Sequence, residues 1–479
     1  MSTEPTLAQQ LADFAENVRY DELPVAVVES VKARVLDILG ICAAAAPLDT
    51  SRGARAWAVE QGGTAQANAV GVAQALPASL AAFVNGVLAH SLDYDDTHLP
   101  SVLHPSASVI PAVLAAAQAK GATGAELIRA IAIGLEVTVR LGMAGFDKES
   151  GNSVFFEHGQ HATSICGTMG AAAAVAALYG DATLIRNSLG VAASMASGII
   201  EANRTGGTVK RIHCGWAAHA AISAVNLVRF GLTGPPTVLE GRFGFFQAWL
   251  HGKFNAREIT DGLGQQWSIQ DIFFKPYPAN HFTHAAVDAA AALRRAGITP
   301  DEIESLVLGV PAPNLRTIGE PIEVKRRPET GYMAQFSGPY AVAAGLLGGS
   351  GLEVGLDDYS DELAQDPYRR ALMAKVDVVP DAECTEIFPM QFPAVLTAHL
   401  RDGRTLIEKV LTTRGGPDRP LSFDELIRKF RDNAQRTLSA EAMEHLQTCC
   451  RDLEQAGNVS DIFADLTQVD ADAPALLVS

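Results

Sequence analysis

Between His90 and Ser106 the chain reads HSLDYDDTHLPSVLHPS. Three histidines, three aspartates, a threonine and two prolines stand together there, and alanine-rich apolar runs flank them on both sides. Upstream, PASLAAFVNGVLA has helical periodicity with Pro77 near its start, where a fixed φ and a missing N–H suit the first turn. Downstream, ASVIPAVLAAAQA again reads as helix. The polar stretch therefore falls where one buried helix ends and before the next begins. A helix C-terminus already presents partly negative carbonyls, so Asp93, Asp95 and Asp96 need cations beside them or open water. A polar cluster between apolar helices opposes folding, and chains keep such clusters where they serve function. The stretch is expected to form one wall of a catalytic pocket.

A chain of 479 residues exceeds what one core supports, which points to two domains. Alanine and glycine carry much of the apolar surface, a composition suited to closely packed helices. The net charge of −17 argues against a nucleic-acid surface, while a local group of Lys and His can still attract an anion. Six cysteines (Cys42, Cys166, Cys214, Cys384, Cys449 and Cys450) show no CxxC spacing, and the adjacent pair suits a disulfide poorly. Reduced thiols in a cytoplasmic protein are expected. The N-terminal MSTEPTLAQQLADFAE is acidic and amphipathic, unlike a signal peptide. With no apolar run of about 18 residues free of a charge or a breaker, a soluble protein without a membrane partner is expected.

Residues 5–46 read as two amphipathic helices, and helical patterns continue through EVTVRLGMAG. Two further polar clusters follow, EHGQHATSICGTMG and NRTGGTVKRIHCGWAAHAA, each leading into a small-sided helix. After Trp267 the pattern changes. IESLVLGVP and KVDVVPD read as strands, and FPAVLTAHL–RDG–RTLIEKVLTT as a hairpin with Asp-Gly near its turn. RGGPDRPLS has the composition of a linker, after which amphipathic helix returns. The expected architecture is mainly α, with an all-helical domain over 1–271 completed by 414–479 and a smaller α+β domain over 272–413.

HSLDYDDTH followed by HPSASVIPA resembles the signature of the MmgE/PrpD family, which includes 2-methylcitrate dehydratase, cis-aconitate decarboxylase and iminodisuccinate epimerase. GQHATSICGTMGAAAAVA, KRIHCGWAAHAA, GLTGP, FKPYPANHFTHAAVDAA, AQFSGPYAVAAGLL and KVDVVPD stand in the family's order, so the resemblance covers nearly the whole chain. It implies an inserted α+β lid domain, a homodimer, no metal or other cofactor, and an active site in the cleft between domains. The implied substrate is a small anionic di- or tricarboxylate. By motif position the pocket residues fall on Asp93, Thr97, His104, His161, Lys210 and Lys275, with Tyr340 of SGPY a further match. Asn280 and Arg204 are expected to assist substrate binding. One departure bears on the reaction: decarboxylase-type members carry a histidine five positions after the lid lysine, where this chain has Asn280, followed by His281.

The family's reactions form or quench negative charge on a carbon beside a carboxylate. They need cations and neutral donors to hold the carboxylates and a histidine to move the proton. His104 precedes Pro105 in a loop and suits acid–base work, against the plainer role of capping the next helix. His161 before an alanine helix suits an anion contact or proton transfer, and equally a core histidine bonded to a carbonyl. Lys210 after Gly206-Gly207 and Lys275 before Pro276 are expected to meet carboxylates, although a lone lysine is ordinarily solvated surface. Asp93 is expected to orient a histidine or lysine, and Thr97 to offer its hydroxyl. Tyr340 at a helix start is a proton donor on the family match, and a packing residue otherwise. The favoured activity is dehydration of a 2-methylcitrate-like hydroxy acid, with epimerisation or decarboxylation as alternatives. A metal-dependent hydrolase built on His90, Asp93, Asp95, His98 and His104 fits no familiar ligand spacing. A non-catalytic binding protein would have lost part of the pocket set.

Overall fold

Prolines set the starts of two central helices. Pro24 stands as N-cap before Val25–Ala45 and Pro77 before Ala78–His90, where a missing N–H removes no intrahelical bond. The computed structural model describes residues 5–202 and 207–473. The chain divides into two units, one of residues 1–272 with 433–473 and the other of residues 273–432.

The first unit is helical. Its main elements are α1 (Leu7–Asn17), α2 (Val25–Ala45), α3 (Asp49–Gln61), α4 (Ala78–His90), α5 (Ser106–Lys120), α6 (Gly124–Ala144), α7 (Ala162–Tyr179), α8 (Ala182–Ala192) and α9 (His213–Arg229). Helix α9 packs on α4, α5 and α7, α5 also packs on α4 and α7, and α6 lies against α7. Small side chains make this close packing possible. A Cβ on Gly215 would lie 2.4 Å from the Phe83 carbonyl oxygen, and one on Gly86 2.7 Å from Gly215 Cα. The α4–α9 crossing therefore requires glycine on both helices. Gly215→Ala should destabilise the unit by about 1–3 kcal/mol, read from a denaturant midpoint; an unchanged midpoint would contradict this account of the crossing.

Helix α7 is long and apolar enough by composition to cross a membrane, against the expectation that no run here would be. It is 94% buried inside the unit, so its apolar sides are those of a core helix. The C-terminal segment returns to this unit. Thr437 Oγ1 donates to the Ala43 carbonyl at 3.1 Å, Lys32 pairs with Glu454 at 3.1 Å, and Gly124 N donates to the Ala456 carbonyl at 2.8 Å. A two-residue antiparallel ribbon, Phe146–Asp147 with Asn152–Ser153, adds a strand pair to a domain expected to be all-helical.

The second unit holds a four-stranded sheet of β1 (Ile303–Val310), β2 (Val376–Pro380), β3 (Ala394–Leu400) and β4 (Thr405–Val410), in the order β2-β1-β3-β4. β1 runs parallel to β2 and antiparallel to β3, with Leu308 opposite both Val378 and Leu396. Along β3, buried and half-buried residues alternate as the period of two requires. Helices α10 (His284–Arg295) and α11 (Gly338–Leu347) pack on each other, and α10 also covers β3 and β4. The unit extends past residue 413, where sequence composition placed a linker, to residue 432. Side-chain bonds explain the difference. Arg414 donates to Tyr277 Oη at 3.0 Å and to Glu425 at 2.6 Å, and Arg419 to Asp288 at 2.6 Å.

Candidate active site

Helix α4 stops at His90, and the loop after it holds two residues in the left-handed region, Asp93 (φ 51°) and Val102 (φ 53°). Aspartate tolerates this conformation better than most residues; for valine it is strained. His98 N donates to the Leu103 carbonyl at 2.8 Å and closes the loop before Pro105 caps α5. All three aspartates beyond the helix end meet a cation. Asp93 Oδ1 is 3.7 Å from Lys210 Nζ, Asp95 Oδ2 is 2.8 Å from His90 Nδ1, and Asp96 Oδ2 is 2.5 Å from Arg34 Nη1. Asp96 also accepts from Ser106 Oγ at 2.5 Å and Ser106 N at 3.2 Å. Arg34 reaches the Ile269 and Ile272 carbonyls with its other nitrogen.

His104 Nδ1 lies 2.6 Å from the Asp96 carbonyl oxygen and 3.2 Å from Thr97 Oγ1. A carbonyl can only accept, so Nδ1 carries the proton and the neutral ring has its lone pair on Nε2. The His104 amide donates to Thr163 Oγ1 at 3.1 Å, which ties the loop to α7.

His161 is the N-cap residue of α7 and donates its amide to the Gly198 carbonyl at 3.0 Å. Gly198 has φ 145°, and a Cβ there would sit 3.0 Å from Ser164 Cβ, so a larger residue would disturb this seat. His161 Nδ1 is 2.8 Å from His213 Nδ1, and His213 opens α9. Four rings thus form an array, with centroid separations of 5.3 Å (His104–His90), 5.5 Å (His90–His161) and 4.8 Å (His161–His213).

The array is electrostatically graded. Burial opposes charge on His90, but the sulfur of Cys214 and the carboxylate of Asp95 outweigh it and hold its pKa up to about 10. Burial pushes His161 well below the ordinary histidine value, helped by the charges on His90 and Lys210. His213 falls to about 4 through burial, His90 and Lys210. Both low-pKa rings stand at helix N-termini, where the helix dipole also disfavours an imidazolium. Buried His98, bonded to Ser101 Oγ, is likewise lowered to about 4 by burial.

These shifts have opposite consequences for stability. His98, His161 and His213 bind protons more readily unfolded, so stability present above the ordinary value of 6.5 is lost as pH falls toward 4. His90 binds a proton more readily folded, so its contribution is complete below 6.5 and lost as pH rises toward 10. The urea midpoint should peak near neutrality and fall on both sides, and a plateau extending down to pH 4 would contradict these environments.

Cys214 is a site residue that sequence reasoning left unassigned. Its sulfur and the ligand atoms of His90 and Asp95 lie within 4.8 Å of one another. The sequence signal was slight, a cysteine between His213 and Gly215; only the glycine crossing of α4 and α9 brings it to His90. This trio differs from the five-residue metal set considered from sequence. Within it, His90 Nδ1 and Asp95 Oδ2 are hydrogen-bonded to each other at 2.8 Å. A cavity of about 460 Å³ in the same unit, lined by Arg140, Lys148, Arg257, Glu258 and Trp267 among others, includes none of these histidines. Its buried Arg140 is taken up by Glu136 and by carbonyls of residues 259, 261 and 266.

The remaining expected residues have other surroundings. Lys275 of the second unit is buried, not the solvated surface lysine its isolation in sequence suggested. Asn280 Oδ1 accepts from Phe282 N at 3.1 Å, so this side chain caps the turn before α10, while its backbone N–H donates to the Gln335 carbonyl. Tyr340 is fully buried in α11, donates its proton to the Asp358 carbonyl at 2.5 Å, and lies with its ring tilted 39° to that of Tyr359. Burial pushes its pKa up to about 12. Of the two roles that sequence left open for Tyr340, proton donor and packing residue, a hydroxyl held by a carbonyl inside the unit suits the second. Arg204 lies outside the described residues.

A buried array of imidazoles with distinct proton affinities, bordered by a lysine–carboxylate pair, holds the kinds of group that proton transfer requires. Residues 9–257 match the MmgE/PrpD N-terminal domain and residues 277–455 the MmgE/PrpD C-terminal domain. The chain belongs to the MmgE/PrpD family and is a lyase of that family. It is 32% identical over 399 residues to cis-aconitate decarboxylase of Mus musculus and 33% identical over 400 residues to that of Homo sapiens, covering 80% of this chain and 78% of each relative. Mitochondrial 2-methylcitrate dehydratase of Yarrowia lipolytica is 29% identical over 181 residues, 36% of this chain and 33% of that protein.

Proposed function

We propose that the chain dehydrates a small hydroxy di- or tricarboxylate of the 2-methylcitrate kind without a metal or organic cofactor. The observation that carries this reading is the pairing of two differently prepared imidazoles. His161 is kept neutral by burial and nearby cations. His104 has its tautomer fixed by the Asp96 carbonyl and lies 4.0 Å from the Asp95 carboxylate. Dehydration needs one group to take a proton and a second to give one. On this reading His161 Nε2 removes the proton from the carbon beside a carboxylate. The C–H electrons form the double bond, the β-carbon–oxygen bond breaks, and the leaving hydroxyl takes a proton from protonated His104 to depart as water. Lys210, held by Asp93, opposes charge on the adjacent carboxylate as it grows, and Thr97 adds a hydroxyl at the His104 side.

A second reading is decarboxylation of a cis-aconitate-like acid, favoured by the names of the relatives matched over four fifths of this chain. It needs only one proton donor at carbon after CO₂ leaves, and the capping role of Asn280 weighs against it. The test is turnover of EDTA-treated protein with 2-methylcitrate and citrate, followed by the ultraviolet absorbance of the conjugated acid. Activity that survives chelation supports the proposal, and activity restored only by added metal overturns its cofactor-free form. Lys210→Gln should raise KM about 10–100-fold, the range for losing a charged hydrogen-bond partner; an unchanged KM would remove Lys210 from carboxylate binding.

A further inference from the structure

His161 and His213 meet nitrogen to nitrogen, Nδ1 to Nδ1 at 2.8 Å, with both rings buried. A neutral imidazole has one N–H and one lone pair, so in this contact one ring must donate and the other accept. The choice decides what His161 offers at its other nitrogen. Were His213 the donor, the proton of His161 would sit on Nε2, and that atom could not act as a base. With His161 as donor, Nε2 carries the lone pair. We propose that His213 is a positioning residue whose Nδ1 accepts the Nδ1–H of His161 and holds that ring in its proton-accepting tautomer. This inference rests on the reading of His161 as the base.

The backbone supports a fixed pair. The His213 carbonyl accepts from Ser164 Oγ at 3.0 Å, and Ser164 lies three residues along α7 from His161. A single α7–α9 contact therefore locates both rings. When His161 Nε2 takes a proton, its Nδ1–H still points at a neutral acceptor, and that bond strengthens because its donor has become cationic. Lys210 and His90 both disfavour charge on His213, which keeps it an acceptor through the reaction.

Neutron diffraction from deuterium-exchanged crystals at neutral pH reads the tautomers without any substrate. Deuterium on His161 Nδ1 and none on His213 Nδ1 is expected; the reverse placement overturns the proposal even if the protein is a dehydratase. The kinetic arm compares His213→Leu, which removes the acceptor, with His213→Asn, whose side-chain oxygen can replace it. With 2-methylcitrate, the Leu variant should lose about 10–100-fold in kcat with KM little changed, and the Asn variant should recover most of it. Equal losses in the two variants, or a change confined to KM, would mean that His213 serves packing alone. The expected deuterium placement with full turnover in the Leu variant would take His161 out of the proton chemistry and the positioning role with it.

Discussion

Turnover in His104→Gln should fall by about 10²–10⁴-fold, the range for removing a positioned acid or base, with little change in thermal stability. The asymmetry follows from what holds the ring. His104 donates its Nδ1–H to the Asp96 carbonyl and its amide to Thr163 Oγ1, and the amide bond survives substitution. What is lost is a ring nitrogen that can gain and release a proton. Glutamine can preserve a hydrogen bond but cannot supply that proton. Progress curves with the preferred substrate and a thermal melt, run on the same preparation, separate the two effects. Turnover within a few-fold of the unsubstituted enzyme would remove His104 from the mechanism.

The largest effect on stability is expected at Arg34, far from His104 in sequence but joined to it through Asp96. Arg34 and Asp96 form a buried pair at 2.5 Å, and the guanidinium also satisfies the Ile269 and Ile272 carbonyls. Arg34→Met would leave a buried carboxylate without its cation and two carbonyls without their donor. Breaking such a pair from one side costs about 3–5 kcal/mol, measured by urea unfolding. Activity should fall as well, since the backbone of Asp96 fixes the His104 tautomer. Adding Asp96→Asn should recover part of the stability, because the uncompensated charge is then gone. A loss below about 1 kcal/mol, the size of an exposed pair, would mean that the pair is solvated.

The part of the site carried by local pattern was legible in the sequence. Proline before the Ala78–His90 helix, acids beyond its end and Pro105 before the next helix located the loop that holds Asp93 to His104. The requirement that those acids meet cations was also readable, because it follows from the charge of a helix end. The identity of the cations was not: Arg34 is 62 residues from Asp96, and nothing in the α2 pattern marks it. Cys214 and the His161–His213 contact were equally hidden, since they arise where helices cross at Gly86 and Gly215 and where α7 meets α9. Tyr340 shows the reverse case, a motif residue whose hydroxyl is held by a carbonyl in its own unit. The end of the second unit was misplaced because Gly and Pro in RGGPDRPLS suggested a free linker, while its two arginines bind Tyr277, Asp288 and Glu425.

The central claim is that two histidines move protons at a carbon beside a carboxylate and expel water without a metal. Proton NMR in D₂O of EDTA-treated protein with 2-methylcitrate, citrate, cis-aconitate and iminodisuccinate tests it directly. A new vinyl signal with loss of the hydroxy acid is the expected result. Release of CO₂ from cis-aconitate with no dehydration of either hydroxy acid would contradict the dehydratase account in favour of the decarboxylase. Deuterium uptake at a retained α-carbon of iminodisuccinate, with both hydroxy acids unchanged, would contradict it in favour of epimerisation.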